Sequence, residues 1–499
     1  MSFDHTIRTM DSVKKQAVAL FIAISGVTAL AVWMAPLDLS LSDMVPVVVV
    51  ATIFALLLVL VLGLAITQNQ PARTIVYRLT LLIWWVVLVC ECVFDRMGDS
   101  TDASLSRFSV QAYGEGIVWV LAFVTLIILS IQQPHYLRRL FSGSYKWITL
   151  FTVVCAASVS YSAGKTYAGA WAFKMVLVLL LLHLSASMLG SIADIVTFLK
   201  VSLWGFFVLT VVPAVQAFSD PSSAFEGVGG RLNASPDALT LTAAVLLLLS
   251  VILYSIEKRK MMIFTGLVAS VVMLLALGKS GILASLFSVL LFLLLQKQVG
   301  RSMVVMLGIA AVAFVVLSVT PVAAHLQSYE GAATLTGRTV IWAEGFEAFK
   351  QSPLLGHGYL STYFSFYGHL HNGFLEVAYN SGIIGLGIML MIHFMILRDV
   401  FVSIRMAGAL RAASPRDPEI SRAYVLAVGS LALYTNLTIN GLFNATFGGR
   451  PRSPFMLFFA LLVMVDLLRR HIVKELGGAT KEANARRTDW LPAGAAARS

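Results

Sequence analysis

Long apolar runs separated by short polar breaks occupy most of this chain. The runs are apolar on every face, and most approach the ~20 residues a helix needs to cross a bilayer core of ~30 Å. They predict fourteen spanning helices, at 16–35, 45–67, 79–94, 117–131, 147–162, 170–189, 201–218, 238–254, 262–278, 281–296, 303–319, 374–397, 423–440 and 455–468. Only Ser-Ala-Gly-Lys-Thr-Tyr-Ala-Gly (162–169) separates the fifth run from the sixth, which predicts a tight hairpin. The first run follows Arg8, Lys14 and Lys15, exceeds a typical leader core and precedes no A-x-A site. It is expected to stay as an uncleaved anchor. The fold class expected is all-α: a polytopic integral membrane protein of about 12–14 transmembrane helices with a large extracytoplasmic loop.

The breaks give the domain plan. Residues 1–15 precede the first helix, and 16–319 hold helices one to eleven, with a short arginine-bearing loop near 219–237. The longest polar stretch, 320–373, exceeds what a compact connection needs and is expected to be functional. Within it Arg338, Trp342, Phe346 and Phe349 recur at helical spacing and predict an amphipathic helix in the membrane interface. Residues 374–470 hold the last three helices. The tail, 471–499, mixes Gly, Ala, Thr and charges with little periodicity and is expected to be disordered.

Composition agrees with the pattern: 58% hydrophobic, 12% charged, mean hydropathy +0.85, against roughly 25% charged in soluble domains. The net charge of +11 raises nucleic acid as a partner until its placement is considered. With the N-terminus inside, only nine of the 36 lysines and arginines fall in outer segments, the bias cytoplasmic loops show. The charge is therefore topology, both termini are expected in the cytoplasm, and nucleic acid is not an expected partner. Cys90, Cys92 and Cys155 sit in apolar runs at spacings unsuited to zinc, and are expected to be inert.

Candidate chemistry gathers on the outer side. Pro353–Leu390 is the most polar, aromatic and glycine-rich passage of the chain, with His357, His369 and His371 leading into a span. A histidine and an arginine at the watery mouth of a membrane helix point to chemistry on a charged, membrane-bound substrate. For His371 the alternatives are a base and a helix-capping loop residue. For Arg338 they are an anion ligand and an interfacial anchor. Arg231 lies in a Gly-rich outer loop with few acidic neighbours, and Arg450, beside Pro451, can close the cluster. Lys174, a turn into its span, is either a site residue or a snorkelling one. Gly382, Gly385 and Gly387 either admit a neighbouring helix closely or break the twelfth span.

His371-Asn372, nine residues, Gly382, two residues, Gly385 resembles the H-[NSQ]-x9-G-x-x-[GTV] motif of the bacterial O-antigen ligase and Wzy-type polymerase superfamily. Gly337–Trp342, Pro353–Gly358 and Gly229–Pro236 resemble its other loops, and Lys279-Ser280 departs from the Ser-Arg many members have after a span. The resemblance covers about 200–470. It implies metal-independent glycosyl transfer, without cofactor, from an undecaprenyl-diphosphate-linked glycan at the periplasmic face of the bacterial inner membrane. Catalytic roles would fall to His371 and Arg338, and substrate contacts to Arg231, Asn372, Lys174, Trp342 and Arg450. Expected partners are the lipid-linked donor and acceptor, the bilayer and a chain-length regulator. A polymerase of repeat units is the first expectation, with an O-antigen ligase as the alternative and a transporter or flippase as the remote one.

Overall fold

The computed structural model describes residues 72–94, 110–131, 143–217, 236–276, 278–297, 338–365, 369–444 and 446–489. The spans expected at 16–35, 45–67 and 303–319, and the loop bearing Arg231, lie outside these residues. The described part is all-helical: α1 (Ala72–Phe94), α2 (Val110–Ile131), α3 (Tyr145–Ser158), α4 (Lys165–Met188), α5 (Ile192–Ala217), α6 (Pro236–Glu257), α7 (Lys260–Ala276), α8 (Lys279–Leu295), α9 (Arg338–Gln351), the single turn α10 (Thr362–Ser365), α11 (Gly373–Ala413), α12 (Pro418–Phe443) and α13 (Ser453–Asp489). Five of them, α4, α5, α6, α11 and α12, are long and apolar enough to cross a membrane, and α1, α2, α7 and α8 hold shorter apolar helices. The protein is an all-α polytopic membrane protein.

Each expected span within the described residues falls on one of these helices. The short connection between α3 and α4 is a 3-10 turn, Val159–Tyr161, followed by Ser162, Ala163 and Gly164. One expectation is corrected at the C-terminus. α13 runs on to Asp489, through residues assigned to a disordered tail. Ala, Glu, Lys and Arg dominate there, and all are strong helix formers that need no apolar stripe.

Several hydroxyls inside the bundle bond back to their own helix, which satisfies them where a bilayer offers no water. Thr80, Thr125, Thr152 and Ser250 each donate to the carbonyl four residues back. On the outside, Phe264, Leu267 and Val271 of α7, Leu283 and Phe287 of α8, and Leu390, Phe394 and Phe401 of α11 are exposed. Their helical spacing marks a surface for lipid tails.

The two ends of the bundle differ. At one end Asn444 donates to Ser280 Oγ (2.9 Å), and at the other the Tyr424 hydroxyl donates to the Leu295 carbonyl (3.0 Å), so α8 and α12 are antiparallel. The Tyr424 end is basic. There the buried Asp399 pairs with Arg398 and Arg469, and the buried Asp466 with Arg469 and Arg470. The Asn444 end holds His369 and His371, beside Asn372, whose Nδ2 donates to the Leu442 carbonyl.

Candidate functional site

The site is built around a break in α11. Gly382 has φ +64° and ψ −166°, so the helix stops there and restarts. A break inside a bilayer frees backbone groups that must find partners. The loop Pro353–Gly358 supplies them. The His357 amide donates to the Tyr379 carbonyl (2.8 Å), the Gly358 amide to the Asn380 carbonyl (3.0 Å), and the Ile383 amide to the Pro353 carbonyl (2.8 Å). Only glycine fits at 356, where φ is +71° and a Cβ would stand 2.6 Å from the Asn380 and Gly382 backbone. His357 belongs to this clasp: its Nε2 lies 2.8 Å from the Ala348 carbonyl, and its ring stacks on Tyr379 at 4.4 Å.

The N-terminal piece of α11, ahead of the break, presents His371. Asn372 is the N-cap, its Oδ1 accepting from the Phe374 and Leu375 amides at 3.0 Å. Its Nδ2 donates to the Leu442 carbonyl (3.2 Å), which ties the cap to the end of α12. Both ends of the amide expected to touch substrate are thus used in architecture. Three further ties fix the preceding turn. The Leu370 amide and the Thr362 hydroxyl both donate to the buried Glu376 carboxylate. Trp342 Nε1, on the predicted helix α9, donates to the Leu370 carbonyl (2.9 Å). His371 itself is left-handed, with φ +51°, a conformation that persists in a non-glycine residue when its surroundings over-determine it.

The electrostatics keep His371 neutral. Burial, then the Arg338 cation, hold its pKa down to about 4, with Asp237 opposing. Its Nδ1 is buried without a hydrogen-bond partner among the described residues, and the His369 ring meets it edge-on at 4.0 Å. His369 is held down further, to about 3, by burial first and by His371, Arg452 and Arg450 after that. Arg338, at the first residue of α9, donates to Asp237 Oδ2 (3.1 Å) in the first turn of α6.

A second cation closes the cluster. Arg450 is 5% exposed, and its guanidinium lies 4.5 Å from the Tyr363 ring centroid, 5.6 Å from Tyr167 and 5.7 Å from Trp171. Its Nε and Nη1 are buried without hydrogen-bond partners among the described residues. Tyr363 also meets His369, at 6.5 Å, so Arg450 and His371 flank one group of rings. The loop holding Arg450 is anchored by the Tyr359 hydroxyl, which donates to the Gly449 carbonyl (3.2 Å), and by Asn380 Nδ2 on the Gly448 carbonyl (3.4 Å). Lys174 does not snorkel. It is wholly buried, 3.4 Å from Glu115, with its ammonium 4.8 Å from the Trp119 ring and 5.0 Å from Trp171.

Six of the seven site residues expected from sequence are therefore linked through shared rings, charges and hydrogen bonds. Arg231, the seventh, lies outside the described residues. Sequence reasoning missed Asp237, Glu376 and Glu115. The readable signal was an acidic residue inside or at the mouth of an apolar run, where a carboxylate needs a partner.

The fold and site define a polytopic helical membrane protein with a neutral histidine and two arginines gathered at a helix break. Residues 264–390 match the family described as O-antigen ligase, a range holding Arg338, Trp342, His371 and Asn372 but neither Arg450 nor Lys174. A stretch of 102 residues is 33% identical to the exopolysaccharide production protein ExoQ of Rhizobium meliloti (strain 1021), covering 17% of this chain. The match spans only 23% of that relative's length. Over these stretches the chain is similar to O-antigen ligases and to a protein of exopolysaccharide production, and it spans about a quarter of the length of that relative.

Proposed function

We propose that this protein is a membrane glycosyltransferase of polysaccharide biosynthesis that polymerises repeat units carried on undecaprenyl diphosphate. The observation that carries the reading is the neutral His371 between Arg338 and the ring cluster of Arg450. An acceptor hydroxyl attacks the anomeric carbon of the donor, forming the new C–O bond, and gives its proton to His371. The bond from that carbon to the diphosphate oxygen breaks, and its electron pair leaves with the lipid diphosphate. Negative charge grows on that leaving group, and preplaced guanidinium groups stabilise it. Arg338 and Arg450 fill that role, with Arg231 as a third candidate and Trp342 as the residue that seats the histidine turn. The arginines supply the charge that a divalent cation would, so the reaction is proposed to be metal-independent. The basic end of the bundle favours the cytoplasm, which supports a site at the periplasmic face of a bacterial inner membrane.

A second reading has its own support: the matching family is described as O-antigen ligase, whose reaction would hand the glycan to a lipid A–core acceptor. The relative is named for exopolysaccharide production, which favours polymerisation. Deleting the gene separates the two. Loss of a polymerase leaves single repeat units on the lipid carrier and no long glycan, and this is the expected result. Long glycan on the carrier with bare core at the surface would make the protein a ligase.

A further inference from the structure

One buried charge pair stands apart from the groups the mechanism uses. Glu115 on α2 and Lys174 on α4 face each other inside the bundle, both shut off from solvent. Taking two charges out of water is expensive, and a pair at 3.4 Å recovers little of that unless other contacts add to it. Here the additional contacts are aromatic. The Lys174 ammonium sits over both Trp119 and Trp171, whose centroids are 5.2 Å apart. Trp171 is also one of the three rings around Arg450. One indole is thus shared by two cations, and Tyr167, packed on it at 6.2 Å, borders Arg450 as well.

We propose that Lys174 and Glu115 are positioning residues that set Trp171, and through it the guanidinium of Arg450, and that neither touches substrate. The inference rests on Arg450 binding diphosphate. Attraction to the ring quadrupole holds the indole between the two cations. The Glu115 carboxylate balances Lys174, so that Arg450 does not meet a second net positive charge across the ring. The uncompensated donors of Arg450 then stay free for an anion, because among the described residues its contacts are rings, and the acid that feels its charge, Glu376, is already bonded to Thr362 and Leu370. Lys174 differs from Arg450 in that its charge is already met inside the bundle, by Glu115 at 3.4 Å.

The test is a mutant cycle on the full chain in detergent, read as the dissociation constant for farnesyl diphosphate from tryptophan fluorescence. Lys174→Met should weaken binding about fivefold with Arg450 present and less than twofold in an Arg450→Gln background. The same factor in both backgrounds, or none in either, overturns the proposal, since a direct contact or a merely structural defect adds independently of Arg450. If Lys174→Met does not fold, Lys174→Met with Glu115→Leu removes both charges at similar volume and enters the cycle in its place. Failure of the native chain to bind the probe, or an unchanged constant in Arg450→Gln alone, overturns instead the diphosphate reading.

Discussion

A histidine held near a pKa of about 4 is a weak base that is almost always ready. Above that value it is neutral, so the fraction of competent His371 barely changes from pH 8 down to 5. It is lost only as the pH falls through about 4, where the ring takes a proton and can no longer accept one. Bound diphosphate would offset the Arg338 charge, one of the causes of the depression, and raise the pKa in the complex. The limb in kcat is therefore expected at higher pH than the limb in kcat/KM, and coincident limbs would detach Arg338 from substrate. Arg338 has a second measure. A planar fork can keep Asp237 and still pair with phosphate, whereas an ammonium offers one point of charge. Arg338→Lys should lower turnover by about a hundredfold, and full activity in that variant would reduce the residue to an anchor. The arginine, the histidine and Trp342 were legible in sequence as a polar cluster beside a span. Asp237 and Glu376 showed only as acids at the edge of apolar runs, because the partners that give them a role lie 101 and six positions away.

At the scale of elements, glycines 382 and 387 in α11 look alike in sequence and differ in role. Gly382 is left-handed and is met by the Leu354 carbonyl, whereas nothing stands within 4 Å of a Cβ at Gly387. Gly382→Ala should cost about 1–3 kcal/mol and loosen the Pro353–Gly358 clasp. Gly387→Ala should be neutral or slightly stabilising. Thermal unfolding of the two variants in detergent checks this, and equal melting temperatures would refute a structural break. The sequence offered two uses for these glycines, close helix approach or a break, and could not choose. The choice depends on a loop closing over the helix, and that contact is tertiary. α9 was readable from its spacing alone, because one face of it meets the histidine turn.

Across the whole molecule, the charge asymmetry predicts orientation. Glu347 on α9 lies beside the site and Arg416 lies between α11 and α12 at the basic end. A cysteine at Glu347 should react with an impermeant thiol reagent on intact spheroplasts, and one at Arg416 only after lysis. The reverse pattern would turn the site to the cytoplasm. The buried native Cys90 and Cys155 should give little background.

The central claim is that this site transfers a lipid-linked glycan with His371 as base. Its most direct measurement is reconstitution of the full chain in proteoliposomes with undecaprenyl-diphosphate-linked repeat unit and a chelator. The native protein should yield a ladder of longer lipid-linked glycans. His371→Asn, similar in shape without the basicity, should bind the donor as tightly and yield none. A ladder of near-normal yield from His371→Asn, or a strict divalent-metal requirement in the native protein, would contradict the account.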